Sequence, residues 1–521
     1  MRARLKAIVA STIVLCAVSL ALMAWSAETS RASLSVDRTF GTAGLTSIPG
    51  FKKPEETNAG VALRRPGGGY FIAGNTMRHD SNNGMFVAAL DRAGLLIKRF
   101  GKNGRASVPR RLSGFRFEMH TADVSAMAIQ NDGKVVVAAV VDAIGSADQR
   151  QFDREIGDDP DCNCGPSRPA IALIRFDRRG RLDRSFGRNG VALIRSVVAR
   201  YTTNELGVVD LGDIAIDRSG RILVYATTEA LTRRSEEKGE VHDVVYRLRE
   251  NGARDNTFSR RGRFVAKYKS NVLAARAGSL VLRSGGRISV SSTATRLKRV
   301  DGDWKIGDYR LGVRGLTKSG ATDRRFGHRG KAYLDLGGQG GVIREVVAGP
   351  NDSLYIAGAR VWVDPNEELH ADPFETGAIV GRLNRRGRLD ASWCGKGYCE
   401  IPNPAQYPMS GVDAIAVNSS GGIFALVSGV ALDPATGTEL LPGDDPSIER
   451  TWITQLNHSG AIDHSPSQDF GLGVVPEKIG RAGFTAFGMF EDRSKFALVG
   501  FCKFSKRASR VAMTRVSVDT R

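Results

Sequence analysis

A nine-residue phrase recurs along this chain and constrains its fold more than any other feature. It reads LDRSFGRNG at 182–190, VDRTFGTAG at 36–44, LIKRFGKNG at 96–104, RDNTFSRRG at 254–262, TDRRFGHRG at 322–330 and LDASWCGKG at 389–397. A stretched seventh copy begins at Ala461. The copies stand roughly seventy residues apart, and self-similarity at a regular spacing is the mark of a repeat architecture.

Each unit carries a second landmark upstream of the phrase. In one it is an apolar run at 125–130, the turn Asn131-Asp132-Gly133-Lys134, and a second apolar run at 135–139. An Asp-Gly pair between two such runs is the strongest short-range hairpin signal. Equivalent hairpins read at 61–74, 213–226, 279–291, 346–358, 414–427 and 484–500. A third strand, as at 170–176, leads into the phrase, and a short fourth strand follows, as at 191–194. The unit is therefore four antiparallel strands.

The residues of the phrase have turn chemistry to perform. Asp183, Asp255, Asp323 and Asp390 place a side-chain oxygen where it accepts from amides two residues on. Gly41, Gly101, Gly187 and Gly327 stand where the chain needs positive φ, which costs glycine little. Phe40, Phe100, Phe186, Phe258, Phe326 and Trp393 are the large apolar groups of otherwise polar turns, so each is expected to wedge against a neighbouring sheet. These assignments are structural, because turn chemistry alone accounts for the pattern.

Four-stranded sheets repeated radially make a β-propeller. Seven hairpins predict an all-β chain with one seven-bladed propeller over 34–521. The last unit lacks the phrase that follows every other third strand, and the first phrase lacks the strands that precede the others. The two ends complete each other: the strand near 45–48 is expected to become the outer strand of the last blade, hiding edges that an open array would expose.

The pattern Gly-x-Leu-Asp-x-Ser-Phe-Gly-x-x-Gly, preceded by an Asp-Gly-Lys hairpin, resembles the bacterial delta-60 repeat of secreted and surface proteins. The likeness spans nearly the whole chain after residue 33 and is strongest at 180–190 and 387–397. The sequence departs from it where Ile97 replaces Asp, where Ser259 replaces Gly, and where 463–470 carries extra residues. The resemblance implies the propeller fold and an exported location. It implies no defined reaction and no catalytic residues.

Other signals bear on export and partners. The chain starts with a basic stretch, followed by an uncharged run at 7–27, which reads as a signal peptide over 1–27 or, left uncleaved, a membrane anchor. The expected location is periplasmic or extracellular. The formal net charge is +20, much of it in turns such as 178–181, 260–263 and 385–388. This balance attracts acidic partners and says nothing of fold. No helical reader or aromatic interleaving accompanies it, so sequence-specific nucleic-acid binding is not expected. Among the cysteines, Cys394 and Cys399 flank one phrase turn and are expected to bond. Cys162 and Cys164 are a second candidate pair, and Cys502 is expected to be a free thiol. No zinc spacing, catalytic motif or cofactor loop is present.

Long, dissimilar loops at 142–168, 227–241, 361–377 and 429–450 fall on the face opposite the phrase turns, and binding usually lives in such loops. The reading that follows is a monomeric, exported binding scaffold without a cofactor, recognising a protein, a glycan or an anionic envelope polymer. The alternative is a propeller hydrolase, lactonase or lyase built from acidic and histidine residues at the axis. Three or more such residues converging there would favour the enzyme; an axis of small apolar residues would favour the scaffold.

Overall fold

The computed structural model describes residues 33–49, 56–78, 81–108, 111–112, 115–118, 124–144, 169–195, 209–232, 235–300, 303–336, 340–362, 374–402, 409–418, 421–430, 449–462, 473–475, 478–479, 482–492, 495–505 and 508–519. They form seven antiparallel sheets arranged as a seven-bladed β-propeller. The strands of blade 2 show the common plan: Val124–Ile129 innermost, then Val135–Ile144, Pro169–Phe176 and, outermost, Val191–Arg195. Blade 1 begins at Glu56, blade 3 at Val209, blade 4 at Val272, blade 5 at Gly341, blade 6 at Met409 and blade 7 at Ala482. Among the described residues the only helical turns are two short 3-10 segments in hairpin loops, Ser284–Gly286 and Pro350–Asp352. No described helix is long and apolar enough to cross a membrane.

The ring closes as the sequence predicts. Leu45–Ser47 pairs antiparallel with Ala508–Asp519, Leu45 opposite Thr514 and Ser47 opposite Ala512. A second N-terminal strand, Ser33–Val36, extends the same partner, Ser33 opposite Asp519. Asp37 locks this seam: its carboxylate accepts from Lys495 at 2.6 Å and Arg515 at 2.8 Å. Although burial alone would raise the Asp37 carboxyl, those cations and Thr39 hold it well below the usual carboxylate range.

Between blades, the phrase works as a wedge. Phe186 is fully buried, and its ring lies 2.9 Å from where a Cβ on Gly252 of the next blade would stand. Only glycine leaves room for the ring there. Phe40 under Gly94, Phe100 under Gly180, Phe258 under Gly320, Phe326 under Gly387 and Trp393 under Gly460 repeat the arrangement. Beside each wedge an amide donates to the next blade's turn carbonyl, as from Gly187 to Asn251 at 2.8 Å and from Ser259 to Ser319 at 2.7 Å. Ser259 thus keeps the geometry of the glycine it replaces, at φ 45°.

The phrase aspartates do what turn chemistry requires and one thing more. Asp183 accepts from the Ser185 amide at 3.1 Å and hydroxyl at 2.6 Å. It also pairs with Arg175 of the preceding strand at 3.0 Å, and Arg175 lies over the Phe186 ring and reaches the carbonyl of Glu250 in the next blade at 2.7 Å. Arg247 repeats this with Asp255 and Phe258; Arg382 pairs with Asp390 at 3.5 Å. Asp323 keeps the amide bond to Arg325, but Gly315 stands where the arginine would be, and Arg283 from a hairpin turn covers Phe326 instead.

Cys394 and Cys399 form the expected disulfide across the phrase turn of blade 5. Cys162 and Cys164 lie outside the described residues, as do the segment 1–27 and most of the long loops. One loop reading is corrected. The stretch 227–241 is largely strand: Ile222–Thr232 and Ser235–Leu248 form one long hairpin with Thr228 opposite His242 and Glu229 opposite Val241. Blade 4 has a long hairpin of the same kind, from Ile288 opposite Leu316 to Val300 opposite Asp303.

Candidate functional site in the axial channel

The seven innermost strands border the central axis, and all seven carry a register shift at the same level. The shifts fall at Ala59/Val61, opposite Ala138/Ala139, and at Leu211/Asp213, Ala277/Leu280, Ile343/Glu345, Val412/Ala414 and Ala486/Gly488. A bulge leaves an extra residue out of the ladder and re-aims the side chain beside it. In blades 1 and 3 the bulged residues are Gly60 and Gly212, where an added Cβ would strike the backbone of the neighbouring blade. In blades 3, 4 and 5 the residues beside the bulge are Asp213, Ser279 and Glu345.

These three form a chain of lateral bonds around one arc of the ring. Asp213 Oδ2 accepts from the Leu280 amide at 3.0 Å, Ser279 Oγ from the Val346 amide at 2.8 Å, and Glu345 Oε2 from the Ile415 amide at 2.8 Å. Each side chain satisfies a donor of the next blade that would otherwise be buried without a partner. A second tier repeats the device: Asp210 accepts from the Ala277 amide at 2.7 Å and Thr293 from the Ile343 amide at 2.8 Å.

Burial pushes the Asp213 carboxyl up to about 6, against the bonds from Leu280 and Ile214. Burial pushes Glu345 up to about 7; the Ile415 amide opposes this, and the negative charge of Asp213 adds to it. Burial raises Asp210 too, opposed by the Ala277 amide and Arg276. Near the axis Arg344 pairs with Glu375 at 2.5 Å, and Asp413 bonds Ser428. Asp213 and Glu345 bind protons more tightly folded than unfolded. Their contribution to stability is full below about pH 4 and fades as pH climbs through 6 to 7. Glu345→Gln keeps an acceptor for Ile415 and removes the charge. It is expected to raise stability at pH 8 by roughly 2 kcal/mol, allowing for water in the channel, and to change little at pH 4. Urea unfolding at the two pH values measures it, and a loss of stability at pH 8 would contradict the assignment.

Among the described residues, no group of three or more histidine, cysteine or acidic side chains is placed to hold a metal ion. His242 stands 3.7 Å from Glu240 in the long hairpin of blade 3, its pKa lowered chiefly by burial. His328 and His458 lie in turns. A separate buried cluster ties blades 3 and 4: Asp243 accepts from Tyr225 and Tyr268, each at 2.9 Å, and from Arg314 at 2.7 and 3.0 Å. Both carboxylate oxygens of Asp243 and both tyrosine hydroxyls find partners within the cluster, which suits a structural role.

The structure brings the sequence-predicted phrase residues together at blade interfaces, not at the axis. Asp213 and Glu345 were missed. The available signal was charged residues inside a mainly apolar inner strand, in DLGDIAI and GVIREVVA.

No family model matches the chain, and no curated protein matches its sequence. Solved structures similar to it include a protein of unknown function from Dyadobacter fermentans, at 10% identity and a TM-score of 0.37, covering 94% of this chain and 100% of that one. An α-L-arabinanase from Penicillium chrysogenum complexed with arabinobiose aligns at 10% identity and a TM-score of 0.39, covering 80% of this chain and 99% of that one. An α-L-arabinofuranosidase from Fusarium graminearum aligns at 10% identity and a TM-score of 0.38, covering 81% and 99%. Likeness at this level transfers no chemistry.

Proposed function

We propose that this propeller is an exported binding scaffold whose partner, a protein, a glycan or an anionic envelope polymer, docks on the face bearing the long loops. One observation carries the reading. Three acids of the innermost strands, Asp210, Asp213 and Glu345, each bond sideways to an amide of the neighbouring blade. They act as staples of the ring, and a rigid ring presenting variable loops is a scaffold for recognition. Export rests on the basic start and apolar run at 1–27, and on the resemblance to the delta-60 repeat.

A second reading is a hydrolase. The pair Asp213 and Glu345 favours it, since carboxyls held at about 6 and about 7 lie in the range suited to general acid–base work. One experiment separates the two. The chain lacking residues 1–26 is applied to an array of glycans and envelope polymers and assayed on chromogenic glycosides and lactones, beside Asp213→Asn and Glu345→Gln. The scaffold reading expects binding that both variants retain and no turnover above buffer. Turnover abolished by either variant would move the assignment to the hydrolase.

A further inference from the structure

We propose that a cleft between blades 3 and 4, on the phrase-turn face and so opposite the long loops, binds an anionic polysaccharide. The cleft has a volume of about 800 Å³ and is lined by Arg254, Arg260, Arg261 and Arg263, with Phe264 and Val265 on its floor and the Gly320 turn of blade 4 across from them. This is the size of a small-molecule or oligosaccharide site.

Blade 3 differs from blades 1, 2 and 5 at Arg254 and from blades 1 and 2 at Arg261, a position that is Arg329 in blade 4 and Lys396 in blade 5. Arg254 stands where blades 1, 2 and 5 have Leu96, Leu182 and Leu389, and Arg261 stands where blades 1 and 2 have Asn103 and Asn189. In blade 2, Leu182 covers Gly190; in blade 3, the Arg254 stem covers Gly262 in the same way, with Cγ 2.4 Å from where a Cβ on that glycine would stand. The arginine thus keeps the packing of the leucine and adds a guanidinium at the surface. Arg261 and Ser259 keep the positive φ of the repeat turn, 51° and 45° against 54° at Asn189 and 53° at Gly187, so the turn holds Arg261 in the same backbone conformation as its counterparts.

The charge is uncompensated. Among the described residues, none of the four guanidinium groups has an acidic partner, and the adjacent Asp255 is taken by Arg247 at 2.7 Å and by Thr257. Arginine forks match the oxygens of carboxylate, sulfate and phosphate groups. The cleft offers no exposed ring for base stacking, because Phe264 is buried, whereas nucleic-acid single strands rely on such rings. Val265, 39% exposed, offers an apolar surface to the C–H face of a sugar.

The test uses the full chain after residue 26 and measures binding of fluorescent oligosaccharides: a sulfated one, a polyuronate, a neutral dextran, and a thymidine 20-mer as the nucleic-acid arm. Arg254→Leu with Arg261→Asn restores the residues of blade 2 and is expected to fold with unchanged or higher Tm. Arg184→Gln removes an exposed arginine outside the cleft. The proposal expects the sulfated chain or the polyuronate to bind with affinity that falls as salt rises, the double variant to weaken it at least tenfold, and Arg184→Gln to leave it unchanged; which of the two binds tighter identifies the anion. Equal affinity in the double variant, an equal loss in Arg184→Gln, equal binding of dextran, or tighter binding of the 20-mer would each overturn it.

Discussion

A chain beginning at residue 50 is expected to lose its cooperative unfolding transition. The deletion removes Phe40 and Ile48, both fully buried, and the Asp37 bonds to Lys495 and Arg515. It also strips the Ala508–Asp519 strand of its outer partners. Losing two buried side chains of this size costs roughly 5–10 kcal/mol, as much as the net stability of an ordinary domain. The rescue is specific. Ser33 lies opposite Asp519, so a short turn can join residue 519 to residue 33, and a permuted chain running from 56 to 519 and then through 33–49 is expected to regain the parent Tm. Circular dichroism melts of the three chains measure this. A truncated chain melting like the parent would mean the seam contributes nothing.

Phe186→Ala is expected to cost about 3–5 kcal/mol, the range for a fully buried phenylalanine. Phe186 fills the junction of blades 2 and 3, under Gly252 and beneath Arg175 at 4.6 Å. Its dependence on Gly252 adds a sharper expectation. Gly252→Ala alone destabilises, by clash and by its φ of 86°; in the Phe186→Ala background the clash disappears and only the backbone strain remains. A double-mutant cycle by denaturant unfolding should therefore show coupling of about 1 kcal/mol or more. Strict additivity would mean that the ring does not press on the glycine.

What the sequence made legible was local. The hairpin turns, the positive-φ glycines, the Asp183 turn and the Cys394–Cys399 pair all act within a few residues, where spacing is informative. The wedge role of Phe186 was legible because one large apolar group in a polar turn needs a place to go. The Arg175–Asp183 pair was missed although its signal recurs, an arginine eight residues before the aspartate at Arg247 and Arg382 as well. Asp213 and Glu345 were missed for a different reason. Their partners Leu280 and Ile415 lie 67 and 70 residues on, and a bulge that no local residue announces decides their direction. The stretch at 227–241 was read as one of the long, dissimilar loops, while the ladder of blade 3 carries it as strand.

The seam that joins the two ends also sets an order of events. Residues 33–47 leave the ribosome long before their partners at 508–519. At typical synthesis rates of about 5–20 residues per second, the earliest segment waits roughly half a minute or longer for its mate. The seam therefore cannot form before nearly the whole chain has been made, so closure of the ring is a late event by construction.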